Sequence, residues 1–382
     1  MRLGAANWGC MANQPDDNPV FCGVDIGAGS GAKIGLFDSR LKSCSAGMVP
    51  VADYGGSGPA MALILADEIQ RLQKSAPCCG RHLAGVGIAA PGLFLSDGTF
   101  RLVNNLPFLA NVNLCRMLRE KLGVPVAGIN DADAGGLAEW SSVGHALLYW
   151  VLGGGWGGTW ISEGGEIMFP ALDWDGRDDS LHPANEPGYA IGLDKGDLDR
   201  LFKDFGVSFD IWRSVCARYE PDLSLSGPGG SQSQVRAELL ISGPGRWRLF
   251  AMLRHLHPDG LAALAPEKLK LLESHATAGP VLDEIGRIGL PAAKATNALF
   301  ARIWAMAAAV LFNRAEKDGC PRNIPVLLGG KPNRAFPSFK DDFLRELRRF
   351  GIESEVRISD LESQGQNANL IGAASLAERI AR

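Results

Sequence analysis

Two short apolar runs of the chain end on side chains that could do chemistry. Residues 21–26 contain Asp25 and lead into the glycine cluster GAGSG at 27–31, and residues 124–129 lead to Asn130 and Asp131. A carboxylate between the end of a strand and the start of a helix lies where open α/β sheets bind ligands. It could hold a divalent cation through its oxygens or take a proton from a bound hydroxyl. The alternative for Asp131, or for Asp133, is a simple helix N-cap.

The first glycine cluster has several interpretations. VDIGAGSG matches the first motif of S-adenosylmethionine-dependent methyltransferases and, loosely, the dinucleotide-binding fingerprint. Both need a helix directly after the glycines, whereas AKIGLFDSRLKSCSAGMVPV is rich in strand formers and predicts strands at 32–38 and 46–52. A hairpin turn can cradle phosphate with its N–H groups, or can be only a tight turn. A methyltransferase therefore stays a remote alternative, and a dehydrogenase is disfavoured.

A second cluster, LGGGWGG at 152–158, lies between two strands predicted within 146–162. Two such hairpins, one in each half of the chain, could hold the phosphates of a nucleotide from both sides. Strand hairpins with glycine turns alternate with helices both before and after Asp131. This pattern predicts an α/β protein with two lobes rather than one doubly wound sheet.

The remaining elements follow from hydrophobic periodicity and from capping residues. Gly58-Pro59 opens a helix with apolar residues at spacings of four, four and three, and Asn111 or Asn113 can cap the next helix. The further predicted elements are a strand at 84–92, a helix at 133–142, a helical region at about 195–280 interrupted at 224–234, a long helix at about 291–318, a strand at 324–330, a helix at 337–350, a strand at 352–358 and a final helix at about 366–381.

Composition narrows the class of protein. The chain has 382 residues, a formal net charge of -4 and a pI near 5.9, which gives no electrostatic footprint for nucleic acid. We find no signal peptide and no run of about 18 uninterrupted apolar residues, so no membrane partner is expected. Eight cysteines without a CxxC or CxC spacing predict neither a zinc site nor a disulfide framework. A cytoplasmic protein is expected.

From about residue 21 to its end the chain resembles the ROK (repressor, open reading frame, kinase) family of sugar kinases, which belongs to the hexokinase–Hsp70–actin superfamily. The resembling segments occur in the family's order: VDIGAGSGAKIGLFD, VGIAAPG, NNLPF, INDADAGGLAE, LGGGWGG, LLGG and NANLIGAASLA. The resemblance implies a two-lobed, actin-like (ribonuclease H-like) ATPase fold with a cleft between the lobes. The expected parts are a disordered lead at 1–20, an N-terminal lobe at 21–129 joined by the C-terminal helix at about 366–382, and a C-terminal lobe at 130–365 with a helical insertion at about 195–280.

The same resemblance implies ATP- and Mg²⁺-dependent phosphorylation of a sugar hydroxyl, with Asp131 as general base and Asp25 holding hydrated magnesium. Lys33 could reach a phosphate or could be a solvated hairpin lysine, and Glu186 could bind sugar hydroxyls or be an ordinary loop carboxylate. The residues expected to bind substrate are Asn105, Asn130, Glu186, Tyr189 and Gly92. The residues expected to bind the nucleotide are Gly27, Gly29, Ser30, Lys33, Gly153, Gly154, Gly155, Gly157, Gly329 and Gly330.

The chain departs from the family in ways that bear on substrate and metal. Tyr189 stands in the position of the usual His and no cysteine cluster follows it, so zinc is not expected. Gly154 replaces a Thr of the second phosphate loop, and the chain is longer at 163–185 and at about 205–280. A non-catalytic sugar- or nucleotide-binding relative is therefore the main alternative to a kinase. A repressor is disfavoured because no helix-turn-helix fits before residue 21, and a homodimer stays open.

One segment bears on the choice of substrate. It combines indole rings with acidic side chains and precedes Glu186. It is either a solvated loop or a pocket wall, in which rings stack on a sugar and carboxylates hold hydroxyl or amino groups. The second interpretation would favour an amino sugar, a cyclitol or a larger glycoside over glucose. Its residues are Trp160, Asp173, Trp174, Asp175, Asp178, Asp179 and His182.

Overall fold

The fold is α/β and consists of two compact units, as given by a computed structural model of the chain. The structure describes residues 18–27, 31–54, 56–75, 78–95, 97–103, 106–168 and 185–382. Unit 1 comprises the chain up to Ala134 together with Leu370–Arg382, and unit 2 comprises Gly135–Asn369.

Unit 1 is built on a five-stranded sheet of order β3-β2-β1-β4-β7. β1 and β2 form an antiparallel hairpin in which Asp25 pairs with Lys33, so a strand follows the first glycine cluster, as predicted. β4 and β7 are parallel to β1, and their C-terminal ends therefore meet at one edge of the sheet. The strands are β1 Val20–Gly27, β2 Gly31–Phe37, β3 Ser43–Val49, β4 Leu83–Ala90 and β7 Val126–Asn130, with a small hairpin of β5 Leu93–Phe94 and β6 Phe100–Leu102.

Helices belong to both faces of this sheet. α1 (Gly58–Gln73) and α2 (Leu114–Leu122) contribute the buried leucines and isoleucines of the main core cluster of the unit, and Asn113 caps α2. α13 (Ala368–Ala381) lies so close to β1 and β4 that only glycines fit. A β-carbon on Gly23 would lie 2.2 Å from the Leu370 carbonyl oxygen, and one on Gly87 would lie 1.9 Å from the Ala373 carbonyl oxygen. The small residues of the strands thus set the depth at which the last helix packs.

Unit 2 is built on a four-stranded sheet of order β13-β12-β8-β9 around a core rich in aromatic rings. α10 (Pro291–Ala315) runs through this core, and its Trp304 contacts Trp150 of β8, Trp156 of β9 and Phe343 of α11. With the turn that follows, α10 is the one helix of the described chain that is long and apolar enough to span a membrane, but 72% of its most apolar window is buried. The strands are β8 Leu147–Leu152, β9 Trp156–Ile161, β12 Val326–Gly329 and β13 Val356–Ile358.

The predicted helical region of unit 2 contains a two-stranded sheet that the sequence did not reveal. β10 (Gly192–Asp194) pairs with β11 (Gln234–Arg236) across about forty residues of helix and loop, and β11 begins inside the stretch predicted as a flexible interruption. The helices of the unit are α3 Asp131–Val143, which begins in unit 1, α4 Pro187–Ala190, α5 Lys195–Lys203, α6 Phe209–Tyr219, α7 Gly243–Leu253, α8 Pro266–Leu271, α9 His275–Arg287, α10, α11 Lys340–Arg349 and α12 Asp360–Ser363.

Candidate active site

The first candidate site residue, Asp25, lies on β1 two residues before its C-terminal end and is buried. Lys33, directly opposite on β2, donates to Asp25 Oδ2 at 3.0 Å. Lys33 was predicted to be either a phosphate ligand or a solvated hairpin residue. It forms an ion pair with Asp25, the predicted metal ligand. Gly27 and Gly31 pair at the end of this hairpin, so the loop between them begins directly beyond Asp25.

At the same edge of the sheet, the β7–α3 junction brings three predicted site residues together. Asn130 Oδ1 accepts the N–H groups of Ala132 at 2.9 Å and Asp133 at 3.4 Å, which is the geometry of a helix cap. Asn130 Nδ2 donates to the Gly92 carbonyl at 2.9 Å, and Gly92 has a φ of 110° that favours glycine. Asn130, rather than Asp131 or Asp133, therefore caps α3 and ties the end of β7 to the turn after β4.

Asp131 is the first residue of α3 and is half-buried. Its Oδ1 accepts the N–H of Ala132 at 2.9 Å, which fixes the orientation of the carboxylate. Burial, and next the negative charge of Asp25, raise the pKa of Asp131 to about 6. The two carboxylates are thus electrostatic neighbours at the carboxyl edge of three parallel strands. A carboxylate with a pKa near neutrality is suited to accept a proton at physiological pH.

The second glycine cluster forms the turn of the β8–β9 hairpin in unit 2. Gly153 donates its N–H to the Gly155 carbonyl at 2.9 Å, and β-carbons on Gly153 and Gly154 would meet nothing within 4 Å. The turn is therefore open, with space for a ligand against its backbone. Gly157, which we expected to contribute to this loop, lies inside β9 opposite Val151.

The N-terminus of α7 packs against this turn. Gly243 donates its N–H to the Gly153 carbonyl at 2.9 Å, and Ser242 caps the helix by accepting the Gly245 N–H at 2.9 Å. The eleven-residue helix directs the positive end of its dipole toward this region, which favours an anion there. We did not identify this helix start from the sequence, although Ser-Gly-Pro is a typical N-cap with proline in the first turn.

Glu238 is a second residue that the sequence did not single out. Its carboxylate lies beside the glycine turn, since a β-carbon on Gly155 would lie 3.0 Å from Glu238 Oε2. Burial raises the pKa of Glu238 to about 7, although Arg236 and Arg248 act in the opposite direction. A carboxyl group at this place could accept hydrogen bonds from the hydroxyl groups of a bound molecule. No local sequence pattern indicates Glu238, because the glycine turn that it contacts lies over eighty residues earlier in the chain.

Two predicted substrate residues belong to the single turn of α4. Glu186 lies directly before its first residue, and Tyr189 lies within it. α4 packs on β9, since a β-carbon on Gly188 would lie 2.8 Å from Glu238 Cβ and 2.9 Å from the Trp156 carbonyl oxygen. The Arg236 guanidinium stacks over the Tyr189 ring at 4.5 Å. Glu186, Tyr189 and Glu238 thus belong to one neighbourhood of unit 2.

Gly329 is the last residue of β12 and Gly330 follows it; both were predicted to approach an adenosine. Other residues of unit 2 pack closely against both glycines. A β-carbon on Gly329 would clash with the Tyr149 hydroxyl and one on Gly330 with the Leu152 carbonyl. Glu362 accepts the Gly330 N–H at 2.7 Å and the Tyr149 hydroxyl at 2.8 Å. The N–H of Gly330 is therefore engaged by a carboxylate, and internal packing alone accounts for glycine at both positions.

Several predicted residues lie outside the described part of the chain. They are Gly29 and Ser30 of the first loop, Asn105, and Asp173, Trp174, Asp175, Asp178, Asp179 and His182 of the acidic segment. Trp160 of that group lies on β9 and is buried. Within the described residues, no three His, Cys, Asp or Glu side chains cluster as a metal site would require.

Part of the chain matches a known protein family. Residues 21–168 match the model of the ROK family. A stretch of 100 residues is 35% identical to the xylose repressor of Caldicellulosiruptor bescii, and it spans 25% of this chain and 25% of that protein.

The solved structures that resemble this one cover nearly the whole chain. A ROK hexokinase from Thermus thermophilus aligns over 94% of this chain and 98% of its own, with a TM-score of 0.62 and 21% identity. A ROK-family glucokinase from Streptomyces griseus, solved with glucose and AMPPNP, aligns over 94% and 99%, with a TM-score of 0.62 and 22% identity. At these identities the likeness establishes the fold, which is the actin-like ATPase fold of ROK kinases. Residues 21–168 are thus similar to the ROK family, and nearly the whole chain shares the fold of ROK kinases.

Proposed function

We propose that the protein is a kinase that transfers a phosphoryl group from ATP to a hydroxyl of a sugar or a sugar-like molecule, with Asp131 as general base. The observation that carries the proposal is the Asp25–Asp131 pair at the carboxyl edge of β1, β4 and β7. One carboxylate, Asp25, forms an ion pair with Lys33. The other has its pKa raised to about 6, where it can take and release a proton.

Each unit offers groups that suit ATP or Mg²⁺. Carboxylate oxygen is the ligand that Mg²⁺ prefers, and Asp25 supplies it where the first glycine loop begins. The open turn at 153–155, with the N-terminus of α7 against it, offers backbone N–H groups and a positive dipole to phosphate oxygens. When bound, ATP supplies the phosphoryl group and Mg²⁺ neutralises charge on its oxygens.

The chain's own residues then have simple tasks. Asp131 accepts the proton of the attacking hydroxyl, and its bond from the Ala132 N–H holds the carboxylate in one orientation. Asn130 fixes this segment by its links to α3 and to Gly92. If Asp25 held a cation, Lys33, which now donates to Asp25, would be available to contact a phosphate oxygen. Phosphoryl transfer needs mainly such alignment and charge stabilisation.

The similar solved structures and the carboxylates of each unit support this substrate class. The glucokinase of Streptomyces griseus was solved with glucose, and Asp131 in unit 1, like Glu186 and Glu238 in unit 2, is a group of the kind that holds polyol hydroxyls. We keep hexoses, amino sugars and cyclitols as the candidate substrates, with Asn105, Glu186 and Tyr189 among the binding residues. We place the reaction in the cytoplasm, where ATP is available.

A phosphorylation screen tests the proposal. Purified protein is incubated with ATP and Mg²⁺ and, in parallel, with D-glucose, D-glucosamine, N-acetyl-D-mannosamine and myo-inositol, and phosphorylated product is measured by mass spectrometry. We expect sugar-dependent ADP release and a product 80 Da heavier with at least one of these compounds. ADP release that is independent of any sugar, or the absence of product throughout, would contradict the proposal.

A non-catalytic sugar-binding protein is the second candidate. It is favoured by the Glu362 carboxylate on the Gly330 N–H, at a turn that we expected to serve a nucleotide, and by the xylose repressor among the relatives. Binding of D-xylose or D-glucose without any effect of ATP on that binding, and without product, would support it. Tighter sugar binding in the presence of the non-hydrolysable analogue AMPPNP would favour the kinase.

A further inference from the structure

Three groups of unit 1 that the proposed mechanism does not use meet beside its edge strand β3. They are the thiols of Cys44 and Cys78 and the guanidinium of Arg81. Arg81 Nη1 donates to the Cys44 sulfur at 3.2 Å, and the backbone N–H of Arg81 donates to the Cys78 carbonyl at 3.1 Å. One arginine thus contacts two cysteines that are far apart in the sequence.

A β-bulge brings the Cys44 side chain to the segment between α1 and β4. The pairing of β3 with β2 shifts its register between Ser43 and Ser45, so Cys44 is the extra residue of the bulge. Successive side chains of a regular strand point to opposite faces of the sheet. Here two successive side chains meet the same segment, because the Ser45 hydroxyl lies 3.0 Å from the Ser75 hydroxyl and the Cys44 sulfur lies 3.2 Å from Arg81.

The two sulfurs differ in exposure and in their proton. Cys44 is half-buried and is the more accessible of the two, whereas Cys78 is buried in the core of unit 1. The Cys78 thiol hydrogen-bonds to the Cys44 sulfur, and burial, and next the neighbouring Cys44, raise the pKa of Cys78. Cys78 therefore keeps its proton and directs it at the sulfur that also accepts from Arg81.

Three other cysteines lie in apolar surroundings. Cys115, Cys216 and Cys320 are buried in the cores of the two units, and burial raises the pKa of each to about 12. Buried structural thiols are inert, whereas thiols beside arginine are among those that react with oxidants. Cys44 differs from these three by its exposure, by its arginine and by the second sulfur next to it.

We propose that Cys44 and Cys78 form a disulfide on exposure to hydrogen peroxide. The Cys44 sulfur attacks one peroxide oxygen and the O–O bond breaks, so Cys44 becomes a sulfenic acid and the other oxygen leaves as water with the thiol proton. The Cys78 sulfur then attacks the Cys44 sulfur. The S–S bond forms, the S–O bond breaks, and the second oxygen leaves as water with the Cys78 proton. Two electrons pass from the sulfurs to peroxide, which is the only co-reactant.

The disulfide would link β3 to the segment that follows α1 and would close a loop that contains the whole of α1. A cross-link of this kind restricts the unfolded chain and thereby stabilises the folded one. Because thiols stay reduced in an ordinary cytoplasm, the link would form only under oxidative conditions. The pair is thus an oxidative modification site that strengthens unit 1, and it does not depend on the proposed function.

Oxidation of the purified full chain tests this. Wild type and the variants Cys44→Ala, Cys78→Ala and Cys79→Ser are treated with hydrogen peroxide, remaining thiols are alkylated, and peptides are mapped by mass spectrometry with and without dithiothreitol. We expect a dithiothreitol-sensitive link between Cys44 and Cys78 in wild type and in Cys79→Ser, the matched control. Cys78→Ala should instead accumulate a sulfenic acid on Cys44 that dimedone traps. The thermal midpoint of oxidised wild type should exceed that of the reduced protein by several degrees.

Three results would overturn the inference, and the wild-type protein alone suffices to obtain them. Cys44 and Cys78 that both remain alkylatable after peroxide treatment would be ordinary packing thiols. A link from Cys44 to Cys79, or between two molecules, would show that exposure rather than the described contacts decides the pairing. An oxidised protein with a midpoint no higher than that of the reduced protein would remove the stabilising role. None of these results requires sugar phosphorylation, so a failure of the proposed function is a separate outcome.

Discussion

At the scale of residues, two carboxylates with different environments explain why the site can do acid–base chemistry. Asp25 has a lysine 3.0 Å away, whereas Asp131 has neighbouring backbone N–H groups and the repulsion of Asp25. Both are held at the carboxyl ends of parallel strands. These environments support the proposed roles, a metal ligand for Asp25 and a proton acceptor for Asp131.

This difference predicts the pH dependence of turnover. Because the pKa of Asp131 is raised to about 6, the group is protonated and unable to accept a proton in acid, and it becomes a base as the pH rises. We expect kcat/KM for the preferred sugar to rise roughly tenfold between pH 5 and pH 7, with an apparent pKa near 6. The profile is measured with ATP and Mg²⁺ at saturation and constant ionic strength.

A matched variant identifies the titrating group. The pKa of Glu238 is raised to about 7, so this residue could titrate in the same range. In our account Glu238→Gln weakens sugar binding but keeps the acid limb of kcat. A profile that is flat from pH 5 to pH 8, or a limb that disappears in Glu238→Gln, would argue against Asp131 as the base.

At the scale of elements, glycines set the close packing that holds the edge of the sheet in place. Gly23 and Gly87 on neighbouring strands meet the carbonyls of α13, and Gly372 of that helix meets the Ala134 carbonyl at the start of α3. The C-terminal helix is therefore fixed against β1, β4 and the segment that follows Asp131. Packing of this kind is sensitive to the addition of one methyl group.

The substitution Gly87→Ala tests this packing. Its β-carbon would lie 1.9 Å from the Ala373 carbonyl oxygen, so the helix or the strand must move. We expect a loss of about 1–3 kcal/mol of stability, measured as the shift of the urea unfolding midpoint. Gly279→Ala on α9 is the control: its β-carbon meets nothing within 4 Å, and a gain of about 0.5–1 kcal/mol is expected. Equal midpoints for the two variants would show that the close contact does not limit packing.

The elements nearest the site could be predicted from sequence because local chemistry determines them. Strand-forming residues after the first glycine cluster predicted the hairpin that is observed, and alternation of strands and helices predicted the fold class. The third strand was placed at 46–52 but spans Ser43–Val49, because Pro50 ends it and a 3₁₀ turn follows. β11 was missed, since its partner β10 is about forty residues away and neither strand is longer than three residues.

Site residues defined by tertiary contacts could not be predicted. Asn130 was expected to bind sugar, and this stays a prediction; its side chain also caps α3 and holds Gly92, a role that depends on where β4 ends. Glu238 stands in no recognisable motif. It stands out because it is buried beside the glycine turn at 153–155, in a distant part of the chain.

At the scale of the whole molecule, each unit carries groups to which the proposed phosphoryl transfer gives a role. Unit 1 holds the proposed base and the proposed metal ligand, and unit 2 holds an open glycine turn, a helix N-terminus and the Glu186–Tyr189 turn. The ROK family model matches 21–168 and thus includes residues of both. The proposed reaction therefore assigns roles to residues of both units.

The substitution Asp131→Asn tests the central claim most directly. It retains the size of the side chain and removes the charge that Asp25 repels, so ligand-free stability at pH 8 should not fall. We measure sugar binding by calorimetry and the first turnover of phosphorylated sugar by rapid quench, for wild type and variant, with ATP and Mg²⁺. We predict a sugar dissociation constant within about threefold of wild type and a turnover lowered about 10²–10⁴-fold. A variant that binds the sugar and phosphorylates it at the wild-type rate would contradict the account.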